Sequence, residues 1–111
     1  MKKLHLAIST NDIAATVKDY SIRLNTQPCL VIEGEYALWR TATLNVSIRK
    51  DKSCPPGTLR HLGWEDPSAD MMSTETDVNE IVWENFTADQ QAAEIREIWS
   101  EINYQPAPEI E

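Results

Sequence analysis

Leu4-His5-Leu6-Ala7-Ile8-Ser9 lies near the start of the chain, and Arg60-His61-Leu62-Gly63-Trp64-Glu65 stands in its middle. Each phrase runs histidine, apolar residue, small residue, bulky apolar residue. His5 and His61 are the only histidines among the 111 residues. Their separation of 56 positions is about the length of one small β-α-β-type module. Residues 3–9 alternate, with Leu4, Leu6 and Ile8 on one side and His5, Ala7 and Ser9 on the other. Such alternation reads as a strand. In the second phrase, His61, Gly63 and Glu65 share a side. Imidazole is the commonest metal-binding side chain and titrates near neutral pH. Two strands at equivalent places in two modules bring their histidines together if the modules pack about a pseudo-two-fold axis.

Outward from the first phrase, Thr10-Asn11-Asp12 supplies helix-capping side chains. Ile13, Val17, Tyr20 and Leu24 then recur at helical spacing over residues 12–25 and would pack on a sheet. Leu30-Val31-Ile32, Tyr36-Ala37-Leu38-Trp39 and residues 43–49 read as three short strands. The turn-rich stretch 51–57 divides the two halves. Outward from the second phrase, residues 66–79 are polar with no helical stripe, although Met71 and Met72 are placed to cover a core edge. Residues 80–86 read as a strand. Thr87-Ala88-Asp89-Gln90 has the form of a capping box, and Ala92, Ile95, Trp99 and Ile102 make a helical stripe through about residue 103. The expected fold class is α+β: a curved mixed sheet with two main helices in a single domain, 1–105. Module one spans 1–50 and an abbreviated module two spans 58–105. Residues 106–111 are expected to be a disordered tail.

Composition narrows the function classes. Residues 1–60 hold nine lysines and arginines against five carboxylates; residues 61–111 hold one, Arg96, against thirteen. A formal net charge of −8 disfavours nucleic-acid backbones, which need clustered lysine and arginine. No apolar run approaches the ~20 residues of a membrane span, and Leu4 to Ile8 is too short for a signal-peptide core. A cytoplasmic location and reduced thiols at Cys29 and Cys54 are therefore expected. The opposed charges of the two halves favour a homodimer.

Two histidines beside small neighbours invite an anionic third ligand, which leaves coordination positions open for substrate or dioxygen. The carboxylates on strands are Glu35, Glu65 and Glu84. Glu84 lies in an otherwise apolar strand, where a lone carboxylate needs a partner; alternation equally allows it the solvent side, opposite Trp83. Glu65 is the candidate catalytic base.

These residues carry a family resemblance. His5-Leu6-Ala7-Ile8, the run 11–20, Tyr36-Ala37-Leu38-Trp39, Leu44-Asn45-Val46-Ser47-Ile48 and Leu59-Arg60-His61-Leu62-Gly63 together resemble the vicinal oxygen chelate superfamily. This is the glyoxalase, bleomycin-resistance and extradiol-dioxygenase group. Within it, the run is most similar to the cadmium- and arsenic-inducible glyoxalase-like branch. The resemblance covers residues 4–63 and implies a glyoxalase-like βαβββ module. It also implies a divalent ion (Fe2+, Ni2+, Zn2+ or Mn2+) on His5, His61 and Glu84. Where glyoxalase-type members carry Glu or Gln on the fourth strand, this chain has Asn45 or Ser47. The two-histidine, one-glutamate pattern of the extradiol and lyase members is therefore nearer, although the vicinal cysteine pair of the arsenical lyases is absent. The implied function is a small metal-dependent lyase or dioxygenase acting on a small molecule with chelatable oxygens. Two other functions fit the same residues. One is a sequestering protein of the bleomycin-resistance type, with Trp39, Trp64 and Trp83 as apolar walls. The other is a truncated homologue with no metal.

Overall fold

A computed structural model describes residues 1–108. The chain runs β1 (Lys3–Thr10), α1 (Ile13–Arg23), β2 (Leu30–Ile32), β3 (Tyr36–Arg40), β4 (Leu44–Lys50), β5 (Leu59–Glu65), β6 (Ser73–Thr76), β7 (Val82–Phe86) and α2 (Ala88–Ile98). The seven strands form one mixed sheet in the order β2-β3-β4-β1-β5-β7-β6. The fold is α+β.

Local chemistry accounts for the helix boundaries. Asp12 caps α1 by accepting from the Ala15 N–H at 3.0 Å, and Thr87 and Gln90 close a complete capping box at α2. Such caps satisfy N–H groups that the first turn leaves without partners. The expected helix through residue 103 instead ends at Ile98. Beyond it, Arg96 donates to the Tyr104 carbonyl at 2.7 Å, and Tyr104 turns back into the core, 9% exposed. In the polar stretch 66–79, residues Ser73–Thr76 form β6, all four exposed. An edge strand facing water has no apolar alternation to betray it, and its polar side chains blunt the open edge. Residues 106–108 carry no helix or strand; the rest of the expected disordered tail lies outside the described residues.

Both faces of the sheet are covered, by different helices. Ala37 and Trp39 belong to the cluster beneath α1, with Ile13, Val46 and Ile48. The alternate residues Tyr36 and Leu38 belong to a cluster beneath α2, with Ala92, Ile95 and Tyr104. β3 is therefore apolar on both sides, which explains its unbroken hydrophobic run.

The pairing pattern repeats. β1 pairs with β4 in parallel and β4 with β3 antiparallel; β5 pairs with β7 in parallel and β7 with β6 antiparallel. β1 and β5 meet antiparallel at the centre. The second half keeps these three strands and omits the helix after its first strand, while α2 follows its last.

Candidate metal centre

One row of the sheet, read across the registers, is Arg40, Asn45, His5, Gly63, Glu84. Register partners point to the same face, and this face is the one under α2. Strands lie about 4.8 Å apart, so His5 and Glu84 stand two strand spacings apart with only a glycine between them. His61 rises from the next position on the same side of β5. The imidazoles meet over the gap. His5 Nε2 lies 3.0 Å from His61 Nε2, and His61 Nε2 lies 2.9 Å from Glu84 Oε1. One ligand atom from each residue fits within a 4.8 Å group. The sheet therefore brings the two histidines together and turns Glu84 to the shared side rather than to solvent.

Gly63 permits this by close approach. A Cβ there would run into the Glu84 backbone carbonyl, so any side chain would push β7 away from β5.

Behind His5 stands a chain of polar contacts. Arg40 donates to both oxygens of Glu65 at 2.8 Å. Asn45 Nδ2 donates to Glu65 Oε1 and to Gln91 Oε1, each at 2.8 Å. Those two acceptors fix the Asn45 amide, so its Oδ1 faces His5 Nδ1 at 2.8 Å. His5 Nδ1 must then be the donor, and the lone pair is left on Nε2, toward His61. A carboxamide or carboxylate behind the second ring nitrogen is the usual way a ligating histidine is held. His61 Nε2 stands between the His5 lone pair and the Glu84 carboxylate.

The electrostatics agree with this arrangement. His5, 2% exposed, titrates below the usual histidine value because burial disfavours imidazolium, a shift that the Asn45 bond opposes and the His61 charge reinforces. Its lone pair is available at neutral pH. Burial pushes Glu84 up, but the His61 hydrogen bond and the charges of both imidazoles outweigh it and hold the carboxyl below its ordinary value. Neutral imidazoles and an ionised carboxylate are the forms that bind a divalent ion. Separations of 3.0 and 2.9 Å are close to the roughly 3 Å between neighbouring ligands on an octahedral ion with bonds of about 2.1 Å. A two-histidine, one-carboxylate set with open positions suits such an ion.

Glu65 does not take the place expected of a base. It is 1% exposed. Burial raises its pKa, but hydrogen bonds from Arg40 and Asn45 overcome this and hold the carboxyl low. Its oxygens are filled by donors, and it anchors Asn45. The second carboxylate at the cavity, besides Glu84, is Glu94 of α2, raised above its ordinary value first by burial and then by the Glu84 charge. The cavity is small, about 50 Å³, and its walls include Phe86, Ile95 and Trp99 beside both histidines. The expected tryptophan walls lie elsewhere. Trp39 is buried under α1, and Trp64 and Trp83 line a separate groove. Glu94, Trp99, Arg49 and Arg60 are cavity residues that sequence reasoning missed. Only the α2 stripe pointed toward Glu94 and Trp99, and nothing local says that this helix lies over the histidines. Cys29 and Cys54 are both free thiols.

No family model matches the chain, and no curated protein matches it. Among solved structures, the fold is similar to a chain described as an NAD-dependent benzaldehyde dehydrogenase from Legionella pneumophila. The TM-score is 0.53 at 13% identity, over 76% of this chain and 97% of that one. At that identity the likeness concerns the fold alone.

Proposed function

We propose that the chain is a small metal-dependent enzyme of the vicinal oxygen chelate type, acting on a small molecule with two adjacent oxygens. The observation that carries this reading is the convergence of His5 Nε2, His61 Nε2 and Glu84 Oε1 from strands in equivalent halves of one sheet. The βαβββ order of residues 3–50 and the repeated pairing of β5, β7 and β6 support the same family. Ser47 occupies the position in the first half that Glu84 occupies in the second, since Ala7 pairs with Ser47 as Gly63 pairs with Glu84. The set is therefore two histidines and one glutamate, nearer the lyase and dioxygenase pattern than the four-ligand glyoxalase one.

His5, His61 and Glu84 would hold the ion, and Fe2+, Ni2+, Zn2+ and Mn2+ all suit them. Bound there, the ion supplies Lewis acidity to the paired oxygens. The residues of the chain do the rest. Arg40, Glu65 and Asn45 keep the His5 lone pair aimed. Phe86, Ile95 and Trp99 exclude water from the inner wall. Glu94, with its raised pKa, exchanges a proton at its carboxyl oxygen with substrate, the role expected of Glu65. A nicotinamide-dependent reading finds no support, since the three glycines, Gly34, Gly57 and Gly63, form no Gly-x-Gly-x-x-Gly fingerprint.

Titration with Co2+ or Zn2+ tests the reading. The wild-type chain should take up one ion, and uptake should weaken as pH falls and protons compete for the ligand atoms. His5→Ala and His61→Ala should each abolish stoichiometric uptake. Uptake by both variants equal to that of the wild type would refute the proposal.

A further inference from the structure

The cup that holds His5, His61 and Glu84 also collects two arginines, Arg49 and Arg60. Each arrives there for a structural reason. Arg49 follows Asn45 and Ser47 at two-residue steps along β4, so it faces α2 as they do. Arg60 would point to the other face of a regular strand. The β1–β5 register, however, passes from Ala7↔His61 to Ile8↔Leu59. Arg60 is the residue with no partner, and the bulge turns it into the cavity beside His61. Re-aiming a side chain at a site is a recurrent use of such bulges.

Neither guanidinium is committed to a hydrogen bond or ion pair among the described residues. Arg49 lies 5.3 Å over the Trp99 ring, which holds the guanidinium and leaves its N–H edge free. Arg49 acts on Glu94, Arg60 on Glu84, and both on Asp51, all without direct contact. An ion on Glu84 engages that carboxylate and leaves the cup net positive, in a chain whose formal net charge is −8. Solubility gives no reason for two arginines to converge in a half-enclosed cup. Planar guanidinium forks match carboxylate and phosphate oxygens.

We propose that Arg49 and Arg60 form an oxyanion-binding pair at the rim of the cup. The small molecule bound there then carries a carboxylate or phosphate group next to the oxygens that reach the metal position. This deepens the metal reading and rests on it for the placement of the second group. The cavity of about 50 Å³ limits that molecule to a compact one, with its anionic group at the open rim.

Two titration series test the pair. In the first, cobalt-loaded protein is titrated with oxalate, a dianionic chelator with two outer carboxylate oxygens, and with acetohydroxamic acid, which chelates as a monoanion with no oxygen beyond the chelating pair. Arg49→Gln and Arg60→Gln should each weaken oxalate roughly tenfold, the loss of one charge-assisted bond. Acetohydroxamate affinity and the cobalt spectrum should stay unchanged. Arg60→Lys, which keeps the charge and loses the fork, should fall between. In the second series, metal-free protein is titrated with inorganic phosphate at low ionic strength, and saturable binding should depend on both arginines. If cobalt binds and the two chelators weaken equally or not at all, the oxyanion pair is overturned while the metal centre stands. If cobalt is not taken up, the metal reading fails and the phosphate series alone decides. Arginine-dependent saturation then retains the pair, and absent or arginine-independent binding removes it. Far-UV circular dichroism verifies that each variant folds; neither arginine is fully buried.

Discussion

Asn45 is bonded to three side chains at once: His5, Glu65 and Gln91. It is fully buried, so each bond replaces one that water would otherwise make. Asn45→Ala would leave a carboxylate oxygen, an amide oxygen and an imidazole N–H without this partner, at about 1–3 kcal/mol for each group left unsatisfied. Chemical denaturation should show a loss of at least about 2 kcal/mol. Metal affinity should fall roughly 10- to 100-fold as the His5 ring loses its support. Asn45→Asp, which keeps an acceptor for His5 and places a second carboxylate against Glu65, should be still less stable. The same network sets an acid limb. Glu65 is held below its ordinary value in the folded chain. It therefore contributes stability above the ordinary carboxylate range and loses it as pH falls through its lowered folded value. Glu65→Gln should lower stability at pH 7 by about 3–5 kcal/mol, because one member of the buried Arg40–Glu65 ion pair is removed. Its stability should also change less than the wild type's between pH 5 and pH 3, an acid window of roughly the carboxylate range. A parallel acid limb in the two proteins would contradict this assignment.

At the scale of elements, the β5–β7 contact carries the ligand geometry. Gly63 lets the two strands approach, and β7 brings Glu84. Gly63→Ala should cost about 1–3 kcal/mol by overpacking. It should also weaken metal binding, because Glu84 moves with β7 while His5 and His61 stay paired across β1 and β5. A variant that lost stability yet kept wild-type metal affinity would show that β7 tolerates the displacement. Helix α2 has its own part. It closes the cup with Ala92 and Ile95 and brings Gln91 to Asn45 and Glu94 to the cavity. Its stripe was legible in the sequence, as was its capping box. Its landing site was not, because a 3.6-residue period says which side of a helix is buried and nothing about which sheet face receives it.

For the whole molecule, the ion would join two halves that are otherwise linked by strand pairing and by the stretch 51–57. His5 belongs to the first half, His61 and Glu84 to the second, so metal binding would be coupled to folding. At one hundred times its dissociation constant, the ion should stabilise the folded chain by about 2.7 kcal/mol. That gain should appear as a raised Tm reversed by chelator, and His61→Ala should show none of it. One chain supplies all three candidate ligands, so this outcome does not depend on whether two copies associate. No described helix is long and apolar enough to cross a membrane.

The amino-acid order by itself determined the local features: alternation in β1 and β5, the capped helices, the turn-rich division, and the pairing of His5 with His61 as equivalent positions. These follow from short-range periodicity and side-chain chemistry, which a linear reading detects. Tertiary structure alone decided that Glu84 faces the histidines and that Glu65 is consumed by Arg40 and Asn45. It also decided that a bulge turns Arg60 inward and that Glu94 comes from a helix laid over the cup. Each of these depends on register between strands or on a helix docking across tens of residues. Such choices are made by the packing of the complete sheet and leave no trace within any one segment.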